Sequence, residues 1–424
     1  MKSNNRVLHI GKLAVVTKSF APFIGLLALV VAAGCGGGST SAVNSTGNMG
    51  PVAAAVSGTI AVGTAPSAIA VDSVNNKIVV ADFGSPETAL GTTQQCQPTG
   101  ADVTVIDGVT ETPTANSFNV PENPSAVVMD TISHVAYVLG TEYLDVFTGC
   151  NTAGSALSGV ADAGPPGPIG QLFVLGARAY DVNPVTGKIY LTRPAFNSVL
   201  VLDGITLVGS ATVPVGTGPS GLAVNTTTNK IYVANRTSND ISIIDGATNS
   251  VITVADPAAN PSQVAINPVT NKVYVSHSSG NTISVIDGAT NAVSTVADPN
   301  ALNPGLMVVN TTTDKIYVAN GGTNNLTVID GGTASVTATI AVGTSPSGVA
   351  VDEQTNFIYV ANAGNSQTGD PGNVTVINGA TNATTTLTDP KALNPVAVAV
   401  NSTTNKIYVA NSGSNNVTVI DGAH

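Results

Sequence analysis

A unit of about 42 residues recurs along most of this chain, and such self-similarity limits the folds open to it. The clearest copy covers residues 219–249, where Lys230 begins the segment KIYVAN. The positions equivalent to Lys230 are Lys77, Val135, Lys188, Lys272, Lys315, Phe357 and Lys406. Neighbouring positions lie 42 or 43 residues apart from Lys188 to Phe357, and 49–58 residues apart elsewhere. The chain therefore holds eight copies, three of them enlarged by insertions.

Each copy predicts four short β-strands, here called A to D, separated by turns. Strand A starts at Pro219, and strand B follows the turn at residues 225–229. Strand C ends in Asp245 and Gly246, an Asp-Gly pair that favours a tight hairpin. Strand D is the weakest and is represented by residues 211–215. Four short strands per copy are the pattern of β-propeller blades.

The two ends of the repeat complement each other. The last copy starts at Pro395 and stops after strand C at residues 416–420, so it lacks strand D. Residues 57–63 resemble the strand D at residues 339–343 and can complete that last blade, which removes an exposed sheet edge. We therefore expect an all-β, eight-bladed β-propeller over residues 57–424, with four-stranded antiparallel blades and a ring closed by the N-terminal strand. A seven-bladed ring that leaves out the degenerate copy at residues 121–176 is the alternative.

One tetrapeptide gives the repeat a family likeness. Tyr-Val-Ala-Asn begins at Tyr232, Tyr317, Tyr359 and Tyr408. With the IDGATN turns at Asp245 and Asp287, it resembles the YVTN-repeat β-propeller family over residues 57–424, although the third letter here is Ala. The resemblance implies an extracytoplasmic propeller of the cell envelope, and it supplies no catalytic residues to carry over.

The N-terminus carries the pattern of an export signal. Lys2, Arg6, Lys12 and Lys18 precede an apolar stretch at residues 20–33, which ends in Val-Ala-Ala-Gly-Cys at Cys35. This resembles a bacterial lipoprotein signal, in which Cys35 becomes the lipid-modified first residue. We expect a signal peptide at residues 1–34, a flexible Gly/Ser/Thr tether at residues 35–56, and an exported lipoprotein of the outer membrane or cell surface, with a periplasmic position as an option. Ordinary signal-peptidase cleavage is the alternative.

The amino-acid composition limits the kinds of partner and cofactor that the chain is expected to bind. Charged residues make up 9% of the chain, against roughly 25% in an average soluble domain. Acidic residues outnumber basic ones 25 to 14, which argues against nucleic acid as a partner. With four histidines and no paired carboxylates or Ser-His-Asp set visible, we expect no catalytic residues, no metal and no cofactor. Cys96 and Cys150 are a tentative disulfide for an exported protein.

The repeated polar residues are interpreted as structural. Seven tyrosines lie in the middle of strand B and are expected to fill space between blades, with their hydroxyl groups paired. Six strand-B lysines face acids of the C–D turns, namely Asp107, Asp203, Asp245, Asp287, Asp330 and Asp421. Mutual pairing is expected there, and a lysine ring that grips an anionic polymer is the alternative. Turn chemistry accounts for Asp256, Asp298 and Asp389.

Function is expected where the repeat is interrupted. The B–C insertions at residues 82–100 and 363–372 share one side of the predicted ring, whereas the C–D insertion at residues 149–168 lies on the other. The candidate binding rim comprises Asp82, Phe83, Glu87, Gln94, Asn365, Gln367 and Asp370.

These features favour a lipid-anchored binding scaffold for a protein or polysaccharide of unknown identity. A structural surface-layer protein is one alternative. An extracytoplasmic hydrolase or lyase of the lactonase-like propeller type is a weaker one.

Overall fold

The computed structural model describes residues 52–83, 103–114, 124–140, 143–147, 170–173 and 177–424. These residues form eight four-stranded antiparallel sheets, each assembled from strands that are nearly consecutive in the chain. Pro194–Phe196 is a short 3-10 turn, and the described residues contain no α-helix. The expected all-β repeat of four-stranded antiparallel sheets is confirmed.

The first four sheets follow the chain in order. Sheet 1 contains β2 (Pro66–Asp72), β3 (Lys77–Asp82), β4 (Val103–Asp107) and β5 (Thr112–Pro113). Sheet 2 contains β6 (Ala126–Asp130), β7 (Val135–Leu139), β8 (Tyr143–Phe147) and β9 (Gly170–Phe173). Sheet 3 contains β10 (Tyr180–Asn183), β11 (Lys188–Arg193), β12 (Ser198–Asp203) and β13 (Gly209–Pro214). Sheet 4 contains β14 (Pro219–Asn225), β15 (Lys230–Asn235), β16 (Asp240–Asp245) and β17 (Val251–Ala255).

The last four sheets continue the same order, and the final one borrows a strand from the N-terminus. Sheet 5 contains β18 (Pro261–Asn267), β19 (Lys272–His277), β20 (Thr282–Asp287) and β21 (Val293–Ala297). Sheet 6 contains β22 (Pro304–Asn310), β23 (Lys315–Asn320), β24 (Asn325–Asp330) and β25 (Ser335–Ala341). Sheet 7 contains β26 (Pro346–Asp352), β27 (Phe357–Asn362), β28 (Asn373–Asn378) and β29 (Thr384–Leu387). Sheet 8 contains β30 (Pro395–Asn401), β31 (Lys406–Asn411), β32 (Asn416–Asp421) and β1 (Ala55–Ala61).

The expected pairing of the N-terminal strand with the last copy is confirmed. β1 runs antiparallel to β32, with Ala55 opposite Asp421 and Ala61 opposite Asn416. β1 begins at Ala55, two residues before the predicted boundary at residue 57. Each strand B also begins at its predicted landmark, including the degenerate Val135 and Phe357. The degenerate second copy forms a four-stranded sheet like the others.

The turns are specified locally. In sheet 4 the Asn225 side-chain oxygen accepts the N–H groups of Thr227 and Thr228 at 3.1 and 3.2 Å, which closes the A–B turn. Asn229 then takes a left-handed conformation (φ 52°), which asparagine tolerates well. The glycine of the Asp-Gly pair is required by close approach, because a Cβ on Gly246 would lie 2.3 Å from the Asn229 side-chain oxygen. The A–B and C–D turns of one sheet therefore fit against each other only with glycine at this position.

The core lies between consecutive sheets. Strands B and C are almost completely buried, as expected for strands covered on both faces. One cluster joins Tyr232 and Ile241 of sheet 4 to Val273, Val275 and Ile286 of sheet 5, and similar clusters join other neighbouring sheets. A single sheet cannot cover its own apolar faces, so each one depends on its neighbours.

Polar bonds also join consecutive sheets. In five sheets strand A ends in an asparagine whose amide donates to the left-handed residue of the next A–B turn, as from Asn225 Nδ2 to Asn271 Oδ1 at 2.9 Å. The same bond runs from Asn401 in sheet 8 to Asn76 in sheet 1, at 2.8 Å. Strand β30 of sheet 8 also contacts strand β2 of sheet 1. The arrangement is consistent with a β-propeller.

The tyrosines of strand B are buried as predicted, but most of their hydroxyl groups are not paired. All seven are at most 1% exposed. Tyr137 donates to the carbonyl of Gly204 at 3.1 Å, and Tyr359 accepts the N–H of Ala423 at 3.1 Å. Among the described residues, the other five hydroxyl groups have no hydrogen-bond partner; they belong to Tyr190, Tyr232, Tyr274, Tyr317 and Tyr408. The expected hydrogen bond to another residue is therefore present for Tyr137 and Tyr359 and not for these five.

This difference gives a stability prediction. We expect Tyr232→Phe to change the free energy of unfolding by less than about 0.5 kcal/mol, since no hydrogen bond is lost. Tyr359→Phe should cost about 1–3 kcal/mol, because the buried N–H of Ala423 loses its acceptor. Chemical denaturation of the two variants measures both values. Equal losses in the two variants would contradict the assignment of the unpaired hydroxyls.

Candidate binding surface

Alternating strand direction sorts the connections onto two sides. The B–C connections and the D–A loops that lead into the next sheet lie on one side, which we call the loop face. The A–B and C–D turns lie on the other, which we call the turn face. The described members of the candidate rim, which are Asp82, Phe83, Asn365, Gln367 and Asp370, belong to the loop face.

The B–C loop of sheet 7 is the best-defined interruption of the repeat in the described residues. Asn365 and Asp370 exchange backbone hydrogen bonds of 3.0 Å, which closes the loop into a small hairpin. The Asn365 side-chain oxygen accepts the N–H of Gln367 at 3.0 Å, and Asp370 accepts the N–H of Gly372 at 3.0 Å. The Asn365 and Asp370 side chains therefore shape the loop, whereas the Gln367 side chain is exposed.

Two leucines lie on other loops of the same face, the D–A loops that lead into sheets 6 and 8. The N–H of Leu302 is bonded to Thr323 Oγ1 and its carbonyl accepts the N–H of Gly322. Leu393 has the same arrangement, with its N–H on Ser414 Oγ and its carbonyl on the N–H of Gly413. Their side chains are nevertheless 51% and 48% exposed. These leucines, which the sequence analysis missed, are apolar groups presented outward on a fixed backbone.

The loop around Gln367 is joined to the second leucine loop. The N–H of Asn394 donates to the carbonyl of Pro371 at 2.8 Å, which links the sheet 7 insertion to the residue after Leu393. We call Leu302, Leu393 and residues 363–372 together the loop-face platform.

The other predicted rim residues behave differently from one another. Asp82 is fully buried, and its carboxylate accepts the hydroxyl of Thr104 at 2.7 Å. Asp82 therefore supports the loop face from within and does not present its charge at the surface. Phe83 is 46% exposed, and its N–H is held by the carbonyl of Ala65 at 3.0 Å. Glu87, Gln94, Cys96, Cys150 and Cys35, together with the signal peptide, lie outside the described residues.

The lysines of the turn face differ from the expected pairing in four sheets. Lys77 donates to Asp107 at 2.5 Å, and Lys406 donates to Glu111 at 2.6 Å and to Asp421 at 2.9 Å. The Lys77 bond is the main cause that lowers the pKa of Asp107 to about 2. The other four lysines donate to glycine carbonyls of the next sheet, in the pairs Lys188–Gly246, Lys230–Gly288, Lys272–Gly331 and Lys315–Gly379.

In these four sheets the C–D aspartate closes its own turn, and the next sheet offers the lysine a glycine carbonyl. Asp245 accepts the N–H groups of Ala247 and Thr248 at 2.9 Å each and the Thr248 hydroxyl at 3.1 Å. These bonds, with the backbone N–H of Thr248 first, lower the pKa of Asp245. The lysine of each of these sheets therefore ties one sheet to the next, which leaves its charge committed to the scaffold.

The aspartates of the Asp-Pro loops have the turn role predicted for them and a second role besides. Asp298 accepts the N–H of Asn300 at 2.9 Å, and it also accepts the hydroxyl groups of Thr327 and Thr339 at 2.6 and 2.8 Å. Asp389 accepts the hydroxyl of Thr418 at 2.7 Å in the same way. Each carboxylate therefore locks its loop onto strand C of the sheet that follows.

In sheet 5 this arrangement contains a Ser-His-Asp group that the sequence analysis did not find. His277 Nε2 lies 3.0 Å from Asp256 Oδ2, and Ser284 donates to Asp256 Oδ1 at 2.6 Å. His277 Nδ1 lies 2.8 Å from the carbonyl of Thr282. The His277 and Asp256 side chains are completely buried. Since Ser284 donates to the carboxylate and not to the imidazole, the group lacks the geometry of an activated nucleophile.

Hydrogen bonding sets the charge of Asp256. Burial acts to raise its pKa, but bonds from His277, Ser284 and the N–H of Ala258 together outweigh it, so the pKa lies below its usual value. Both ring nitrogens of His277 lie within hydrogen-bond distance of oxygen atoms, those of Thr282 and Asp256. The group is a buried structural hydrogen-bond cluster.

One carboxylate interrupts the apolar inner strands. Asp181 in β10 lies opposite Tyr190 of strand B. In the other seven sheets the residue at the position of Asp181 is alanine or valine: Ala70, Val128, Ala223, Ala265, Val308, Ala350 and Ala399. Asp181 accepts the N–H groups of Val182 and Val224, each at 2.8 Å, and so joins sheet 3 to sheet 4. Burial is the main cause that raises the pKa of Asp181 to about 6.

The described residues contain no group of three or more His, Cys, Asp or Glu side chains placed to hold a metal ion. Within the same part of the chain, no helix has the length and apolar character needed to cross a bilayer.

Comparison with known proteins adds a fold-level likeness. No protein-family model matches the chain, and no curated protein matches it. Similar solved structures include hydrazine synthase of Kuenenia stuttgartiensis, at 21% sequence identity over 58% of this chain and 76% of that chain. The TM-score of 0.49 is too low for this likeness to bear on activity or partners.

The buried Asp256–His277 pair predicts a coupled stability effect. We expect Asp256→Ala to cost about 1–3 kcal/mol, since it leaves His277 and Ser284 buried without their hydrogen-bond partner. The double variant Asp256→Ala/His277→Asn should lose less than the sum of the two single variants, because asparagine is the residue found at position 277 in four other sheets. Urea unfolding of Asp256→Ala, His277→Asn and the double variant measures the coupling. A double variant as unstable as the sum of two single losses would contradict the pairing.

The raised pKa of Asp181 predicts that stability falls as the pH rises, whereas a carboxylate paired with a cation gives the opposite trend. The folded pKa of Asp181 lies above the ordinary value of 3.8, so the folded state holds the proton more tightly between about pH 4 and pH 6. The contribution of Asp181 to stability therefore falls as the pH rises through that range. Relative to Asp181→Asn, the natural chain should lose on the order of 1–3 kcal/mol from pH 4 to pH 7, measured by denaturation at each pH. A pH-independent difference would contradict it.

Proposed function

We propose that the eight sheets are the blades of a closed eight-bladed β-propeller of the YVTN-repeat type. Two observations support closure. Sheet 8 meets sheet 1 through the same asparagine bond, Asn401 to Asn76, that joins sheet 4 to sheet 5. β1 completes sheet 8 from the other end of the chain, so the termini are joined at one place.

We propose that this propeller is a binding scaffold whose loop-face platform docks a protein or polysaccharide of the cell envelope. The observation that carries the proposal is the pair Leu302 and Leu393, half-exposed side chains on backbones whose N–H and C=O groups are both bonded. A fixed apolar group loses little conformational freedom when a partner covers it, so its burial contributes almost fully to affinity. The hairpin around Gln367, which is bonded to the residue after Leu393, adds polar groups to the same face.

The scaffold role also agrees with how the remaining polar groups are used. The turn-face lysines, the Asp-Pro carboxylates and the His277 group all hold sheets together, and none is presented to a substrate. The charged groups most suited to catalysis are therefore engaged inside the scaffold. The alternative of a hydrolase or lyase gains no supporting observation from them.

We further propose that the scaffold is exported and held at the membrane by a lipid on Cys35. The support is the sequence pattern around Cys35. The platform would then act on envelope components near the membrane surface, in the outer membrane or at the cell surface.

Affinity capture from solubilised native envelope tests the binding role. The bait is the full-length chain, compared with Leu302→Ser/Gln367→Ala/Leu393→Ser and with a turn-face control, Val269→Ser. All four positions are exposed, so we expect all three baits to unfold at similar temperatures. A partner should bind the natural chain and the control equally and bind the platform variant about tenfold more weakly or worse. A partner bound equally by all three would exclude the platform.

A further inference from the structure

The turn face carries exposed apolar side chains in three consecutive sheets. They are Val74 and Val109 in sheet 1, Ile132 in sheet 2, and Val185, Ile205 and Val208 in sheet 3, with exposures of 55–81%. Sheets 1, 2 and 3 are neighbours, since β2 contacts β6 and β6 contacts β10. We call these six side chains the apolar arc. Val269 in sheet 5 is one further exposed valine of the turn face, separated from the arc by sheet 4.

The fold does not require apolar residues at these tips. The position of Val74 in the A–B turn is taken by Thr227, Thr312, Gln354 and Thr403 in sheets 4, 6, 7 and 8. The position of Val109 in the C–D turn is taken by alanine or glycine in sheets 4 to 8. The turns are closed by the preceding aspartate or asparagine whichever residue follows, as at Asp107 and Asp245. The apolar tips of sheets 1 to 3 therefore need an explanation outside folding.

Two acids of sheet 1 next to the arc are paired with lysines. Asp107 is paired with Lys77, and Glu111 is paired with Lys406. Asp203 in sheet 3 keeps its charge, since its donors are the neutral N–H groups of Ile205 and Thr206 and the Thr206 hydroxyl. A surface that covers the arc in sheet 1 therefore meets two acids whose charges are already balanced, which suits a partner that is itself apolar.

The N-terminal end of the described chain lies at the same face. Val52 exchanges backbone hydrogen bonds with His424, at 2.7 and 3.1 Å, beyond the end of strand C in sheet 8. This pair of bonds extends the β1–β32 ladder, in which Ala55 lies opposite Asp421. Asp421 is the last residue of strand C, where the C–D turn begins in the other sheets. Sheet 8 is the neighbour of sheet 1. Val52, the first described residue, therefore lies on the turn face in sheet 8, next to sheet 1 of the arc.

We propose that the apolar arc rests on the lipid bilayer to which the N-terminal anchor attaches. The inference deepens the proposed function and relies on its lipid at Cys35. The flexible tether that the sequence predicts would have a root-mean-square span of about 20–25 Å over residues 35–51, which would hold the turn face close to the membrane. Valine and isoleucine tips that enter the bilayer gain from the removal of apolar surface from water. The loop-face platform is then directed away from the membrane, toward a partner.

Side-chain footprinting of the full-length lipidated protein tests this orientation. The protein is reconstituted into vesicles of phosphatidylethanolamine and phosphatidylglycerol, and hydroxyl-radical oxidation is read residue by residue by mass spectrometry. Buried Ile78 provides the lower limit of oxidation, and exposed Val269 on the same face provides the upper one. We expect Val109, Ile132, Val185 and Ile205 to fall to the level of Ile78, while Val269, Leu302 and Leu393 stay oxidised.

Cleaving the folded residues from their lipid provides a control in which the apolar arc is not held at a membrane. Protease cleavage ahead of Val52 separates the folded body from its lipid, and the arc should regain the oxidation of Val269 in any body that leaves the vesicles. The variant Val109→Ser/Ile132→Ser/Val185→Ser/Ile205→Ser changes only exposed tips, so it should fold normally. In vesicles its remaining arc residues, Val74 and Val208, should be oxidised like Val269.

Several outcomes would overturn the inference. If the arc residues are oxidised as strongly as Val269 in vesicles, the turn face does not rest on the bilayer. An arc protected in the released body in proportion to its concentration indicates a second copy of the chain as the occupant, and protection at every concentration indicates a segment of the same chain. The acyl mass on the Cys35 peptide separates the two proposals. An acylated Cys35 with an oxidised arc refutes only the docking, whereas an unmodified Cys35 refutes the anchor itself.

Discussion

The burial of apolar strands between neighbouring sheets is the interaction on which the rest of this structure depends. A four-stranded sheet with Ile-Tyr-Val at the centre of strand B has two apolar faces, and a neighbour must cover each of them. The tyrosines illustrate how strong this requirement is, because five of their hydroxyl groups are buried without a partner among the described residues. The ring contributes enough apolar contact to tolerate the unpaired oxygen.

Polar groups then fix the register between sheets, and paired replacements preserve their bonds. Asn225 donates to Asn271 across sheets 4 and 5. Between sheets 1 and 2 the donor is replaced by Asp72, and the acceptor position is taken by His134, whose Nδ1 lies 3.1 Å from the Asp72 carboxylate. The donor and acceptor have exchanged places, so the link between the sheets survives a change of both residues.

The loop face and the turn face differ in the residues that depart from the repeat. The loop face gains Leu302, Leu393 and the hairpin around Gln367, and the turn face gains the apolar arc on sheets 1 to 3. Neither set is needed to close a turn or fill the core, since other sheets fold with threonine, glycine or alanine at matching positions. These two sets are the basis of the proposal that the turn face rests on the membrane and the loop face binds a partner.

The sequence by itself determined the repeat and its strands. Every strand B begins at the landmark read from the chain, and the pairing of β1 with β32 follows from the missing fourth strand of the last copy. These features depend on local periodicity and turn chemistry, which a single sequence displays.

Tertiary structure decided which polar groups meet. Lys230 bonds to Gly288 in place of the acid opposite it, Asp82 turns inward to Thr104, and His277 finds Asp256 and Ser284. The partners of Lys230 and Asp256 lie in a neighbouring sheet, tens of residues away in the chain. The sheet neighbours that bring them together are set by packing, so the periodic pattern alone does not reveal them.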